Sequence, residues 1–208
     1  MSRPAKLDHA QIAALWSPQG DETVLWQGKP DAPVLARSAF RARMVAGYFL
    51  VVMAIALVFG GGIVGAGITL AAGIGTLAIL HVLAWLSART TTYIITDRRV
   101  IMRIGMAIEK TINLPLRQIG AAHLDDRGGG YGEIALEPVG EHRLGYLLLW
   151  PHARPWCLAR PQPMLRAIPN AASVAETLAS AVAAHKAIER REQPQRAVSS
   201  PAMEGALA

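Results

Sequence analysis

Between Arg43 and Arg89 the sequence has no Asp, Glu, Lys or Arg. The run from Met44 to Ala88 is more than twice the ~20 apolar residues that a helix needs to cross a bilayer core, and it reads as membrane. Cysteine is almost missing as well: Cys157 stands alone, which excludes an internal disulfide and suits a reducing compartment. In the first twenty residues Arg3, Lys6 and Asp8 interrupt any apolar core, so a cleaved signal peptide is not expected and the membrane segment itself directs insertion. No internal repeat is present. Nor is there a nucleophile paired with a base, or a set of residues at metal-ligand spacing, and no enzymatic activity is expected. His123 has only the adjacent carboxylates Asp125 and Asp126 nearby and reads as part of an exposed turn. Gly128-Gly-Gly-Tyr-Gly132 lacks the Gly-Lys-Ser/Thr ending of a phosphate loop and reads as a hairpin turn. Cys157 has basic neighbours at Arg154 and Arg160 but no base placed by spacing, and reads as a structural thiol.

The uncharged run is too long for one helix, and Gly60, Gly61, Gly62, Gly65 and Gly67 interrupt it near the middle. Glycine favours a turn there. The expected structure is a two-helix transmembrane hairpin with spans from Met44 to Phe59 and from Gly67 to Leu86, since helices satisfy their own backbone hydrogen bonds in lipid. In the second span Gly67, Ala71 and Gly75 recur every fourth residue, a stripe on which another helix packs closely. Three partners fit it: the first span, a second copy of the chain, or a helix of another membrane protein.

The chain has 21 Lys+Arg against 15 Asp+Glu, and the excess lies at the membrane ends. Arg37, Arg41 and Arg43 precede the first span; Arg89, Arg98, Arg99 and Arg103 follow the second. The positive-inside rule puts both flanks, and so both termini, in the cytoplasm. A basic belt of this kind is attracted to anionic lipid headgroups and requires no nucleic acid. Arg98, Arg99 and Arg103 therefore read either as a lipid-binding or acidic-subunit contact or as ordinary topology determinants.

Four segments follow: an N-terminal cytoplasmic segment (1–43), the hairpin (44–88), a cytoplasmic β domain with a C-terminal helix (89–191) and a disordered tail (192–208). Leu7 to Trp16 has the pattern of a short amphipathic helix, and Glu22 to Pro30 that of an extended segment. After the hairpin the period becomes alternating. Strands are expected over Thr91 to Thr96, Arg99 to Ile104, Lys110 to Leu114, Gln118 to Leu124 and Glu133 to Glu137. In the second of these Val100, Met102 and Ile104 share one face. Arg143 to Trp150 is apolar throughout and reads as a central strand; it is far too short for a third span. Prolines at 151, 155, 161 and 163 exclude regular structure up to Pro163, and Asn170 is placed to cap a last helix with Val174, Leu178 and Val182 on one face.

A strand-rich domain closed by one helix suggests a pleckstrin-homology-like half-barrel. Tyr93-Ile-Ile-Thr-Asp-Arg-Arg-Val-Ile-Met-Arg-Ile-Gly105, with Trp26-Gln-Gly-Lys-Pro30 upstream, resembles the bacterial membrane-anchored pleckstrin-homology family. A narrower resemblance covers most of the chain. Ala46-Gly-Tyr-Phe49, Thr96-Asp-Arg-Arg-Val100, Met102-Arg-Ile-Gly105, Asn113-Leu-Pro115, Leu149-Trp-Pro-His-Ala-Arg-Pro-Trp156 and Pro161-Gln-Pro-Met-Leu-Arg166 are similar to the photosynthetic complex assembly proteins encoded beside the reaction-centre H subunit in purple phototrophic bacteria. The resemblance implies a non-enzymatic membrane α+β protein that promotes assembly of the reaction centre and core light-harvesting complex, with their subunits as partners. It carries over no catalytic residue. The alternative is a membrane-anchored module binding lipid or protein in a general envelope role.

Two further features bear on that function. His81 is the only histidine in the hairpin, with Trp85 four residues on. An imidazole there either ligates the magnesium of a bacteriochlorophyll or hydrogen-bonds a neighbouring helix, with Trp85 as an interfacial anchor. Trp150, His152, Arg154 and Trp156, stiffened by two prolines, have the composition of an interaction hot spot; they read either as a partner-docking loop or as a rigid turn whose tryptophans cover the sheet.

Overall fold

The computed structural model describes residues 18–59, 61–105, 109–140 and 145–198, with side chains as far as residue 188. The alternating segments form two antiparallel sheets. The first has four strands in sequential order: β1 (Val24–Gly28), β2 (Thr92–Thr96), β3 (Arg99–Ile104) and β4 (Lys110–Pro115). A 3-10 turn, Leu116–Gln118, leads to the second, made of β5 (Ile119–Gly128), β6 (Tyr131–Pro138) and β7 (Met164–Pro169). Three helices lie between β1 and β2: α1 (Ala32–Ser38), α2 (Ala42–Val58) and α3 (Gly62–Thr90). A single helical turn, α4 (Tyr146–Leu149), precedes β7, and α5 (Ala171–Val198) follows it.

The core lies between the sheets and under α5. Val100, Met102 and Ile104 enter it as the alternation of β3 requires, joined by Tyr93, Ile95, Leu114, Ile134 and Leu136. Val174 and Leu178 of α5 close one end. Asn170 adopts a left-handed conformation (φ 51°) just before α5, and its carbonyl accepts the Val174 amide at 3.2 Å. At the β5–β6 turn Gly128, Gly129 and Gly130 all take positive φ, a run of backbone that L side chains resist.

α1 to α3 are an insertion between two paired strands. Gly28, the last residue of β1, lies opposite Tyr93, the second of β2, so the chain leaves and re-enters the sheet at one edge. α2 and α3 run antiparallel: Gly65 approaches Ala56, and Gly73 sits against Phe49. By itself α3, with 29 residues, is long and apolar enough to cross a membrane; α1 and α2 pass the same test only as a pair, bent by 58°. The outer faces of both helices are apolar and exposed, as with Ile63, Val64, Ile68 and Ile74. α1 ties the insertion to the second sheet, since Val34, Leu35 and Phe40 pack with Ala84 and Ala88 of α3 and with Ala167 of β7.

Several expectations are corrected. The extended segment over 22–30 supplies β1, an edge strand of the sheet, so the residues up to Arg43 are not a separate unit. His123, Asp125 and Asp126 lie along β5 instead of in a turn, and His123 pairs with Glu137 across the strands at 3.1 Å. No strand covers the described part of 143–150. Leu147 and Leu148 face outward there and only Leu149 is buried, a pattern met by one helical turn between Gly145 and Pro151. β7 is an unanticipated strand. α5 continues past Arg191 to Val198, while the rest of the expected tail (199–208) and the expected helix over 7–16 lie outside the described residues.

Candidate functional site at the membrane junction

The loop after α4 carries His152 into the interior, where it is 0% exposed. Its Nδ1 lies 2.6 Å from the Tyr93 hydroxyl on β2. Its Nε2 lies 3.2 Å from Ser87 Oγ and 3.1 Å from Thr91 Oγ1, in the last turn of α3 and just beyond it. The Arg166 amide of β7 donates to the Tyr93 oxygen at 3.2 Å. That leaves the phenolic proton for His152 Nδ1 and places the imidazole proton on Nε2, shared by the two α3 hydroxyls. One buried side chain thus joins the foot of α3 to both sheets.

Charge is buried beside this joint. Arg166 is 4% exposed; its Nη2 donates to the Ala153 carbonyl at 3.1 Å and its Nε approaches Met164 Sδ at 3.2 Å. Glu133 falls at a register shift between β6 and β7 and accepts from Arg127 Nη2 at 2.7 Å. Burial pushes the Tyr93 hydroxyl well above its ordinary range and moves His152 down to about 3, with the Arg166 charge acting in the same direction on His152. His152 is therefore neutral when folded, while the unfolded imidazole titrates at its ordinary value of 6.5. Between those two values the unfolded state binds more protons, so stability present above pH 6.5 is lost as pH falls toward 3. The expected slope from this one group approaches ~1.4 kcal/mol per pH unit. Chemical denaturation of the wild type and of His152→Gln across this window checks it: the wild type should lose stability more steeply, by the His152 contribution.

The other predicted residues fall in different places. Arg98 pairs with Asp21 at 2.7 Å and Arg99 with Glu22 at 3.0 Å, at the end of the β2–β3 hairpin remote from α3. Arg103 pairs with Glu109. Arg154 donates to Gln162 Oε1 at 2.9 Å. Trp150 packs edge-on against Phe40, ring centroids 5.4 Å apart, and Trp156 is 86% exposed. His152 is thus separated from the surface residues with which its motif grouped it.

On α3, Gly73, Ala66 and Ala84 are buried, and Gly73 meets α2, whereas Gly67, Ala71 and Gly75 point away. A Cβ built on Gly67 or Gly75 meets nothing within 4 Å. On an ideal helix this open stripe lies roughly 140° around from the face carrying those buried residues. Trp85 falls in line with Gly67 at the edge of the stripe, and His81, exposed, lies about 80° from the centre of the stripe, between it and the buried face. The His81 Nδ1–H donates to the Leu77 carbonyl at 2.8 Å, so Nε2 is outside that bond. Trp85 carries the Arg89 guanidinium over its ring at 5.1 Å, an aromatic and cationic anchor at the foot of the helix.

Two antiparallel sheets closed by a C-terminal helix, with an apolar insertion after the first strand that holds one helix long and apolar enough to cross a membrane, define a pleckstrin-homology-like protein. The bacterial PH domain model matches residues 40–182, and the chain belongs to that family. It is also 40% identical, over 200 residues spanning 92% of this chain and 90% of the relative, to an uncharacterized 23.7 kDa protein in the puhA 5′ region of Rhodobacter capsulatus. No solved structure matches.

Proposed function

We propose that this protein is a non-enzymatic assembly factor for the photosynthetic reaction centre and, with it, the core light-harvesting complex. The observation that carries the reading is the 40% identity, over nearly the whole chain, to a protein in the puhA 5′ region. The sequence resemblance connects that gene neighbourhood with the reaction-centre H subunit. In this reading α2 and α3 both span a bacterial inner membrane, because their outer faces present far more contiguous apolar surface than water tolerates. The arginines at both feet hold the β domain and the two termini in the cytoplasm.

The client meets the open face of α3. Gly67, Ala71 and Gly75 let the backbone of a second helix approach closely, and that helix belongs to a reaction-centre or light-harvesting subunit or to another copy of this chain. His81 is exposed at the flank of this face, with its Nδ1 proton committed to Leu77, an arrangement that orients an imidazole for ligation through Nε2. A bacteriochlorophyll presented by the client is the ligand this reading assigns to it. Deleting the gene in a phototroph tests the proposal. The expected result is a several-fold fall in the reaction-centre absorption bands with membrane integrity unchanged; the reverse pattern supports a general envelope module instead.

A further inference from the structure

A cavity of about 380 Å³ opens where α1 gives way to α2, lined by Ser38, Arg41, Tyr146, Trp150, Trp156 and Arg166 among others. We propose that it is a binding site for the headgroup of an anionic phospholipid, and that the loop around it is a second, non-spanning contact with the membrane. Its depth is set by its neighbours. Trp150 rests on Phe40, two residues before α2, and His152 hydrogen-bonds Ser87 and Thr91 at the foot of α3. The Trp85–Arg89 pair is on the same turns, so the cavity sits at headgroup level when α3 spans.

The lining suits a phosphate. Arg41 holds a left-handed backbone (φ 50°, ψ 36°) unusual for a side-chain-bearing residue, and its Nη1 contacts only the thioether of Met44 at 3.4 Å, a weak acceptor. Arg166 adds a second positive charge from beneath, partly offset by the buried Glu133 carboxylate, so the exposed Arg41 guanidinium is the principal cation of the site. Arg98 and Arg99, by contrast, already hold carboxylates.

The rim suits acyl chains. Leu147 is 87% exposed, and Leu148, Trp156 and Leu158 are exposed beside it. In water this is a costly apolar patch; at the boundary of headgroup and hydrocarbon it is the composition that inserts.

The proposal rests on the reading of α2 and α3 as spans, and the two fail in different ways. The full chain is reconstituted into vesicles of equal phosphatidylglycerol and phosphatidylcholine, extracted in mild detergent, and the retained phospholipid is measured by mass spectrometry. A chain that does not enter the vesicles overturns the spanning reading. If it enters, phosphatidylglycerol should be retained in preference. Arg41→Gln should reduce that preference about tenfold, the ratio that ~1.4 kcal/mol represents. Arg41→Lys should keep most of it, and Arg43→Gln, in the basic belt but outside the cavity lining, should leave it intact. Equal retention of the two lipids overturns the site, as does equal loss in Arg41→Gln and Arg43→Gln. Displacement by millimolar inorganic phosphate would make it a free-anion site. Unchanged lipid retention in Arg41→Gln and Trp156→Ala, with loss of a co-purifying subunit, would make it a protein-docking surface.

Discussion

Replacing His152 by phenylalanine should lower the stability of the folded chain by about 3–5 kcal/mol, because it leaves three buried groups without their imidazole partner at ~1–3 kcal/mol each. Phenylalanine is also bulkier than histidine, so overpacking of a fully buried site adds to the lost hydrogen bonds. The groups orphaned are Ser87 and Thr91 at the foot of α3 and Tyr93 at the start of β2. In a chain of this size ~1 kcal/mol moves the midpoint by about 2–4 °C, so a fall on the order of 10 °C is expected in tryptophan-monitored melting of the detergent-solubilised protein. Arg154→Ala, two residues away, removes a single half-exposed bond to Gln162 and should cost under ~1 kcal/mol. Equal midpoints for the two variants would disprove the assignment of His152 as the joint. A Tyr93→Phe partner variant gives a second check: with His152→Phe already present, the added cost of Tyr93→Phe should shrink well below its cost alone, since both remove the same 2.6 Å bond.

This joint explains why the loop's motif was only half legible. Trp150-Pro-His-Ala-Arg-Pro-Trp156 has the residues of a docking surface, and composition alone assigns all of them to one role. The structure divides them, with His152 inside, Trp156 outside and Arg154 on the loop's own Gln162. What determines the division is pairing over more than fifty residues of chain, and periodicity carries no trace of it. The same holds for Arg98 and Arg99, whose carboxylates arrive from 77 positions upstream because β1 pairs with β2 across the whole insertion. Strands β2, β3, β4 and β6 were legible because an apolar residue recurs at every second position, as in Val100, Met102 and Ile104 or in Ile134 and Leu136, although in β3 and β6 the other face is also partly buried, with Ile101 and Glu133 inside. β7 was hidden for the opposite reason. Five of its six residues are buried, and the one that breaks its apolar run, Arg166, is held by the Ala153 carbonyl that no alternation rule can supply.

The rigid foot gives α2 and α3 a fixed orientation relative to the β domain. α1 packs against both α3 and β7, and the His152 network locks the last turn of α3 to β2. In the proposed role, a client seated on α3 would be held at a set angle to the β domain, whichever part of it that domain touches. Freely hinged helices would anchor the domain equally well but would not align two contacts on one partner. This is the property an assembly factor needs, and a simple tether does not.

The two glycine positions on α3 separate these roles. Gly75→Ile places a branched side chain on the open stripe, where a new Cβ meets nothing within 4 Å, so the hairpin itself should be undisturbed. It should nevertheless block close approach of a client helix. Forcing extra bulk into a closely packed contact costs ~1–3 kcal/mol, so association should fall by at least about five-fold. In a phototroph carrying this variant the reaction-centre bands should drop toward those of the deletion strain while immunoblots show normal amounts of the protein. Gly73→Ile is the counterpart. Its Cβ would come 3.0 Å from Phe49, forcing α2 and α3 apart, so the protein itself should become scarce or protease-sensitive. Normal reaction-centre bands in the Gly75→Ile strain would remove the client from this face of α3. Loss of the protein in that strain would instead mean that the stripe is covered within the folded chain, against the open space seen around Gly67 and Gly75.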